Sequence, residues 1–292
     1  MIFIRGAGKM RHRARAAFVV VFLFGCALGP ACADDWEKEW IAPANAKVRL
    51  NADYGNVRID AGDYKLITAS VHTVGWRIAP DDVAINANKV ESGIEIDVKL
   101  LAGRKYWQIG RSITIELTVP RSAALDIHTE HGNILTHGVE GSLRSDTGGG
   151  NIEAVGGKGT VQLHSVDGSI SADRLDGLVS AETGDGNINL EGRFESLDVV
   201  TGDGNLAVTA SAGSRLSSPW KLRTGDGGII LRLQDDLGVD LHATTGDGRV
   251  MVEFPVTASG TKDSRTVRSP KTGGEQELWI HTSDSSINIE KQ

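Results

Sequence analysis

The chain contains little cysteine. Only Cys26 and Cys32 occur in 292 residues, and both precede Asp34. No internal disulfide and no thiolate metal site can therefore form downstream of Ala33. Long apolar runs are missing too. The one marked run, Ala16 to Leu28, is shorter than the ~20 residues that a membrane-crossing helix needs. Positive charge is in deficit, with Lys plus Arg at 31, Asp plus Glu at 38 and a net charge of −7. That balance argues against nucleic acid as a partner, because phosphate-backbone binding depends on Lys and Arg. Two catalytic signatures are absent. No Gly-Lys-Ser/Thr run leads into a helix as in a phosphate loop, and no Gly-x-Ser-x-Gly elbow occurs.

The first residues have a three-part layout. Arg5, Lys9, Arg11, Arg13 and Arg15 precede the apolar run, and Ala31-Cys32-Ala33 follows it. This pattern predicts a signal peptide over residues 1–33, cleaved after Ala33, and export to the periplasm or the cell surface. Cleavage would remove five basic residues and no acidic one, so Lys plus Arg would fall from 31 to 26 and net charge would move from −7 to −12. The competing reading is a lipid anchor at Cys26. Leu23-Phe24-Gly25-Cys26 approximates a lipobox, with the bulky Phe24 fitting poorly.

An internal repeat fills most of what remains. Thr183-Gly184-Asp185-Gly186-Asn187-Ile188 recurs as Thr201-Gly202-Asp203-Gly204-Asn205-Leu206. Related copies begin at Thr129, Thr147, Ser165, Thr224, Thr245 and Thr282. Gly132, Gly150, Gly168, Gly186 and Gly204 keep a period of 18, and Gly227 and Gly248 follow after 23 and 21. Two residues past the glycine stand Ile134, Ile152, Ile170, Ile188, Leu206, Ile229, Val250 and Ile287. Seven before it stand Leu125, Leu143, Val161, Val179, Leu197 and Leu241. Apolar and polar residues alternate at period two, which is strand periodicity.

Each repeat thus supplies two short strands and two tight corners, and no repeat can bury its own apolar face. Stacking copies about 4.8 Å apart pairs their backbones and makes one core. The expectation is an all-β solenoid with about 18 residues per coil. A β-sandwich is the competing fold, but identical column chemistry at an unbroken period is hard to obtain from one. The expected organisation is a linker over 34–46, an irregular N-terminal β cap over 47–124, solenoid repeats over 125–254, a loop over 255–277 and a closing strand over 278–292.

The stretch from Asn51 to Ile289 resembles the bacterial putative-adhesin family, a domain-of-unknown-function group of exported β-solenoid proteins. The residues that carry the resemblance are the Gly55-Asn56-Val57 corner, the alternating strand ending in Val119-Pro120, and the serial Thr-Gly-Asp-Gly-Asn-Ile corners. The resemblance implies the architecture. It implies no catalytic residues, and no cofactor is expected apart from the calcium alternative weighed below.

Three columns carry chemistry. Asp167, Asp185, Asp203, Asp226, Asp247 and Asp284 form a carboxylate ladder at the corner. Like charges one coil apart repel by about 1 kcal/mol in water, and a turn Asp accepting backbone N–H bonds recovers about as much. The expected role is turn capping. Calcium held by Asp185, Asp203, Asp226 and Asp247 is the competing reading, since hard cations take oxygen ligands. The Thr column (Thr129, Thr147, Ser165, Thr183, Thr201, Thr224, Thr245, Thr282) points inward by parity and can satisfy corner backbone groups. An exposed Thr ladder for glycan or ice would need the opposite facing. His128, Asp146, His164 and Glu182 form an outward stripe, expected to be a solvated strand face, with zinc as the alternative. Trp36, Trp40, Trp76 and Trp107 lie outside the repeats and are expected to pack the cap, with an exposed aromatic contact patch as the alternative.

The function expected from these readings is a non-catalytic binding or adhesion module of the cell envelope or surface, with an envelope protein or a glycan as partner. The alternatives are a structural envelope scaffold and a polysaccharide-active β-helix enzyme. The latter needs clustered carboxylates with basic residues in a cleft, whereas basic residues here are scattered.

Overall fold

A computed structural model describes residues 33–101, 110–234, 237, 239–253, 266–270 and 277–292. Residues 1–32 of the predicted signal peptide, Cys26 among them, and Trp107 lie outside the described residues. The chain is a β-solenoid. Its N-terminal strands are β1 (Ala33–Ile41), β2 (Lys47–Tyr54), β3 (Asn56–Gly62), β4 (Leu66–Val74), β5 (Val83–Val90), β6 (Gly93–Leu100) and β7 (Ser112–Pro120). The regular repeats give β8 (Ala124–His131), β9 (Ile134–His137), β10 (Ser142–Thr147), β11 (Ile152–Val155) and β12 (Lys158–Ser165). They continue with β13 (Ile170–Thr183), β14 (Ile188–Thr201), β15 (Leu206–Ala210), β16 (Trp220–Thr224) and β17 (Ile229–Leu233). The last strands are β18 (Asp240–Thr245), β19 (Val250–Val252), β20 (Thr266–Pro270), β21 (Glu277–Thr282) and β22 (Ile287–Lys291).

Each winding places one strand in a first sheet, turns at the Thr-Gly-Asp-Gly corner, and places the next strand in a second sheet. Strands β13 and β14 run through the looser corner and so belong to both sheets. Pairing between repeats is parallel and puts like over like. Leu143 lies opposite Leu125 and Val161, and Ile152 lies opposite Ile134 and Ile170. Ile170 then meets Ile188, Ile188 meets Leu206, and Leu206 meets Ile229. The alternation that predicted strands also fills the core, because every second side chain turns inward. Ile152, Ile170 and Ile188 are each 1% exposed, and burial of such a side chain stabilises by about 1.5–3 kcal/mol. Where the repeat lengthens, Phe194 meets Trp220 edge-on at 6.0 Å between ring centroids.

The ends depart from the expected order. Residues 47–62 are not a cap but a full winding. Strand β2 pairs in parallel with both β6 and β8, and β3 with both β7 and β9. At the other end, residues 278–292 do not close the stack. Strand β21 lies between β16 and β18, and β22 lies between β17 and β19, so Ile287 separates Ile229 from Val250. Within the predicted loop, Thr266–Pro270 is a strand antiparallel to β18. The segment expected as a linker holds β1, antiparallel to β4, which is itself antiparallel to β7. Its alternation explains this. Trp36 and Trp40 turn inward (rings 6.5 Å apart), Lys38 donates to Ala87 O at 2.9 Å, and Asp35, Glu37 and Glu39 face solvent. Such charges on an outermost strand oppose edge-to-edge association. Trp76 is also in the cap, 1% exposed, with the Arg111 guanidinium 4.4 Å from its ring centroid.

Candidate binding face

The corner residues have structural roles. The Thr column is buried, and each hydroxyl donates to a backbone carbonyl of the adjacent winding. Thr147 Oγ1 reaches Gly132 O at 2.9 Å, Thr183 Oγ1 reaches Gly168 O at 2.7 Å, and Thr201 Oγ1 reaches Gly186 O at 2.8 Å. The hydroxyls of Ser165, Thr201, Thr224 and Thr245 also accept from the backbone N–H of the anchor glycine three residues on, Gly168, Gly204, Gly227 and Gly248. Thr245 shows the altered order of windings, because its hydroxyl donates to Ser285 O.

The Asp column lies on the exposed rim of the corner. The N–H groups of Asp167, Asp203 and Asp226 donate to the backbone carbonyls of Gly148, Gly184 and Gly202, and the side-chain oxygens that accept corner amides belong to Thr or Ser and to the residue after the anchor glycine, which corrects the expected capping role of Asp167, Asp185, Asp203 and Asp226. Parity is the reason: the Thr oxygen points inward beside the amides, whereas the Asp carboxylate points out. Asp185, Asp203, Asp226 and Asp247 stand one per winding. No group of three or more His, Cys, Asp or Glu side chains placed to hold a metal ion occurs among the described residues.

The outer face of the first sheet is different. The residues four before the anchor glycine form one column across it. Asn51 lies between Asp97 and His128, Asp146 lies between His128 and His164, and Glu182 follows His164. Asp146 Oδ1 sits 3.4 Å from His128 Nδ1 and 3.5 Å from His164 Nδ1, so this carboxylate is shared between two windings. A second column beside it alternates in charge, Glu95, Arg49, Asp126, Arg144, and then continues through Gln162, Ser180, Asp198, Lys221 and Trp279 to His242. Arg49 contacts Asp126 at 3.2 Å and Glu95 at 3.9 Å, and Arg144 contacts Asp126 and Asp146 at 3.8 Å. Exposed pairs of this kind contribute about 0–1 kcal/mol each, so they arrange the surface more than they stabilise it.

Between the columns lies a shallow depression of about 250 Å³, lined by Arg144, Asp146, Gln162, His164, Ser180 and Glu182. The structure thus brings together Asp146, His164 and Glu182 of the predicted stripe and adds Arg144, Gln162 and Ser180. Further along the face, Trp279 is exposed over 44% of its surface. Its ring stacks on His242 at 4.2 Å, and its indole N–H donates to Glu277 at 2.9 Å.

The model of the family described as Toastrack DUF4097 matches residues 103–290. The chain belongs to the Toastrack DUF4097 family. No curated protein matches it. Among solved structures, it is similar to a putative cell adhesion protein from Clostridium sporogenes ATCC 15579, at 15% identity and a TM-score of 0.30, covering 89% of this chain and all (100%) of that one. It is also similar to a putative adhesin from Bacteroides fragilis NCTC 9343, at 10% identity and a TM-score of 0.34, covering 89% of this chain and 97% of that one. Scores at this level carry no weight for fold or function.

In this Toastrack chain a further column went unread in the sequence. Asn56 Oδ1 accepts from Asn133 N, Asn133 Oδ1 from Asn151 N, Asn151 Oδ1 from Ser169 N, and Asn187 Oδ1 from Asn205 N, at 2.8–3.0 Å. The signal was visible as Asn at one register of the repeat. Asn is also an ordinary turn residue, which masks a ladder between windings. The aromatic end of the face was missed for a related reason. Trp279 and His242 are far apart in sequence and meet only because β21 inserts beside β18.

Proposed function

We propose that this Toastrack protein is an exported, non-catalytic binding protein of adhesion type, acting at the cell envelope or surface. The supporting observation is the outer face of the first sheet. It is a broad, regular and polar surface whose side chains are set by strand register, and the depression between its two columns is shallow. Repeat solenoids use such extended faces for contacts. Arg49, Glu95, Asp126, Arg144 and Asp146 on it are engaged with one another in ion pairs along the sheet, as are Asp198 and Arg223. The signal-peptide layout supports export, and no helix among the described residues is long and apolar enough to cross a membrane.

The test uses the purified protein immobilised on a sensor surface, with envelope fragments flowed over it. Saturable binding is expected, together with no shortening of polyuronate chains incubated with the protein. Envelope fragments that fail to bind would overturn the binding role. Depolymerised polyuronate would establish the enzyme alternative in its place.

A further inference from the structure

We infer that the outer face of the first sheet, from Gln162 to Trp279, is a binding site for an uncharged linear glycan running along the stacking axis. This rests on the binding role proposed above and names its site and ligand class.

Three observations carry it. First, the stripe joins a depression to an aromatic platform. Gln162, Ser180, Asp198, Lys221 and Trp279 are successive partners in the strand register. Four strand spacings of about 4.8 Å separate the ends, roughly 19 Å, which suits an oligosaccharide rather than a single sugar. Second, Trp279 is exposed yet held in place by His242 on one side and Glu277 at its N–H. An indole held in this way offers apolar area to the C–H face of a sugar ring at little entropic cost. Third, charges of both signs are interleaved along the stripe: Arg144, Lys221 and Arg223 stand among Asp146, Glu182 and Asp198, with Glu277 beside Trp279. Arg223 lies 3.7 Å from Asp198, and Arg144 lies 3.8 Å from Asp146. A surface of interleaved charges studded with donors and acceptors matches a hydroxyl-rich neutral polymer better than a polyanion or a polycation.

The test is calorimetric titration of the purified protein with cellohexaose, hexa-N-acetylchitohexaose, xylohexaose and, for contrast, hexagalacturonate. At least one neutral hexamer should bind saturably and more tightly than the acidic one. Trp279→Ala and Gln162→Ala should each weaken that binding by about 10-fold or more, the equivalent of a lost 1.4 kcal/mol. Ser171→Arg, on the outer face of the second sheet, should leave it unchanged. Circular dichroism of each variant checks that it folds, and Ser180→Arg is a second block should Trp279→Ala fail to fold. Absence of binding to every neutral hexamer, preference for the acidic one, or full binding by the two alanine variants would overturn the site. If envelope fragments still bind the alanine variants, and lose binding on protease treatment of the fragments, the partner is a protein. The broader binding role then stands while this site falls.

Discussion

Alanine at Gly186 puts the stacking of the corners to a quantitative test. A Cβ there would lie 2.2 Å from Gly168 O and 2.5 Å from the Gly168 carbonyl carbon, whereas ordinary contact begins at 3.4 Å. Both atoms belong to the backbone of the adjacent winding, so no side chain can rotate aside. Relief requires the two corners to move apart by about an ångström, against a spacing of about 4.8 Å. Three hydrogen bonds across that gap would stretch: Ile170 N to Asn187 O at 2.9 Å, Thr183 Oγ1 to Gly168 O at 2.7 Å, and Asn187 N to Ser169 Oγ at 3.2 Å. At about 1 kcal/mol net for each bond, plus about 1–3 kcal/mol of overpacking strain, Gly186→Ala should destabilise by roughly 4–6 kcal/mol. Gly149 is the matched control. Its added Cβ would meet only His131 Nδ1, at 3.5 Å, so Gly149→Ala should stay within about 1 kcal/mol of the parent. Urea denaturation followed by far-UV circular dichroism gives both values. Two variants that unfold within about 1 kcal/mol of each other would refute the close-stacked corner.

Other outcomes follow from the same geometry. Thr201→Val leaves Gly186 O and Gly204 N without their shared partner and should cost about 1–3 kcal/mol, while Thr201→Ser should recover most of it, as read from urea midpoints. Titration of calcium into chelator-treated protein should give no saturable heat, because the rim carboxylates stand singly. Micromolar uptake that disappears in an Asp185→Asn, Asp203→Asn double variant would revive the ladder. Deleting residues 277–292 should expose residues 240–252 to limited proteolysis, since β19 pairs with β22 and β18 with β21. Protection equal to that of the full chain would contradict the insertion of β21 and β22.

The middle of the fold was legible because one column rule repeats without interruption from Gly132 to Gly204. Register follows directly when Ile152, Ile170 and Ile188 hold equivalent places, and the inward Thr column follows from parity. The ends were not legible. Periodicity says what a winding looks like, not which winding it touches, and the spacing is lost between Tyr54 and Gly132 and again after Val252. There the choice of neighbour is made by contacts between residues remote in sequence, as when Val57 meets both Ile115 and Ile134. Strand β1 was hidden by its charged outward residues, which left only Trp36 and Trp40 as an apolar signal. The binding face was half legible. The His128–Asp146–His164–Glu182 stripe showed in the repeat, but its neighbour with Trp279 required knowing that β21 lies next to β16.

The doubling back at both ends affects how the molecule comes apart. A linear stack ordinarily unzips from its termini one layer at a time. Here the outermost layer beyond β17 is formed by β18 to β20, and the stretch that follows β20 is wedged one layer deeper. Tugging on β21 and β22 must shear pairing on two sides at once, so fraying from that end meets a lock rather than a loose thread. For a protein proposed to hold on to something outside the cell, resistance to peeling under load is a property the strand order itself supplies.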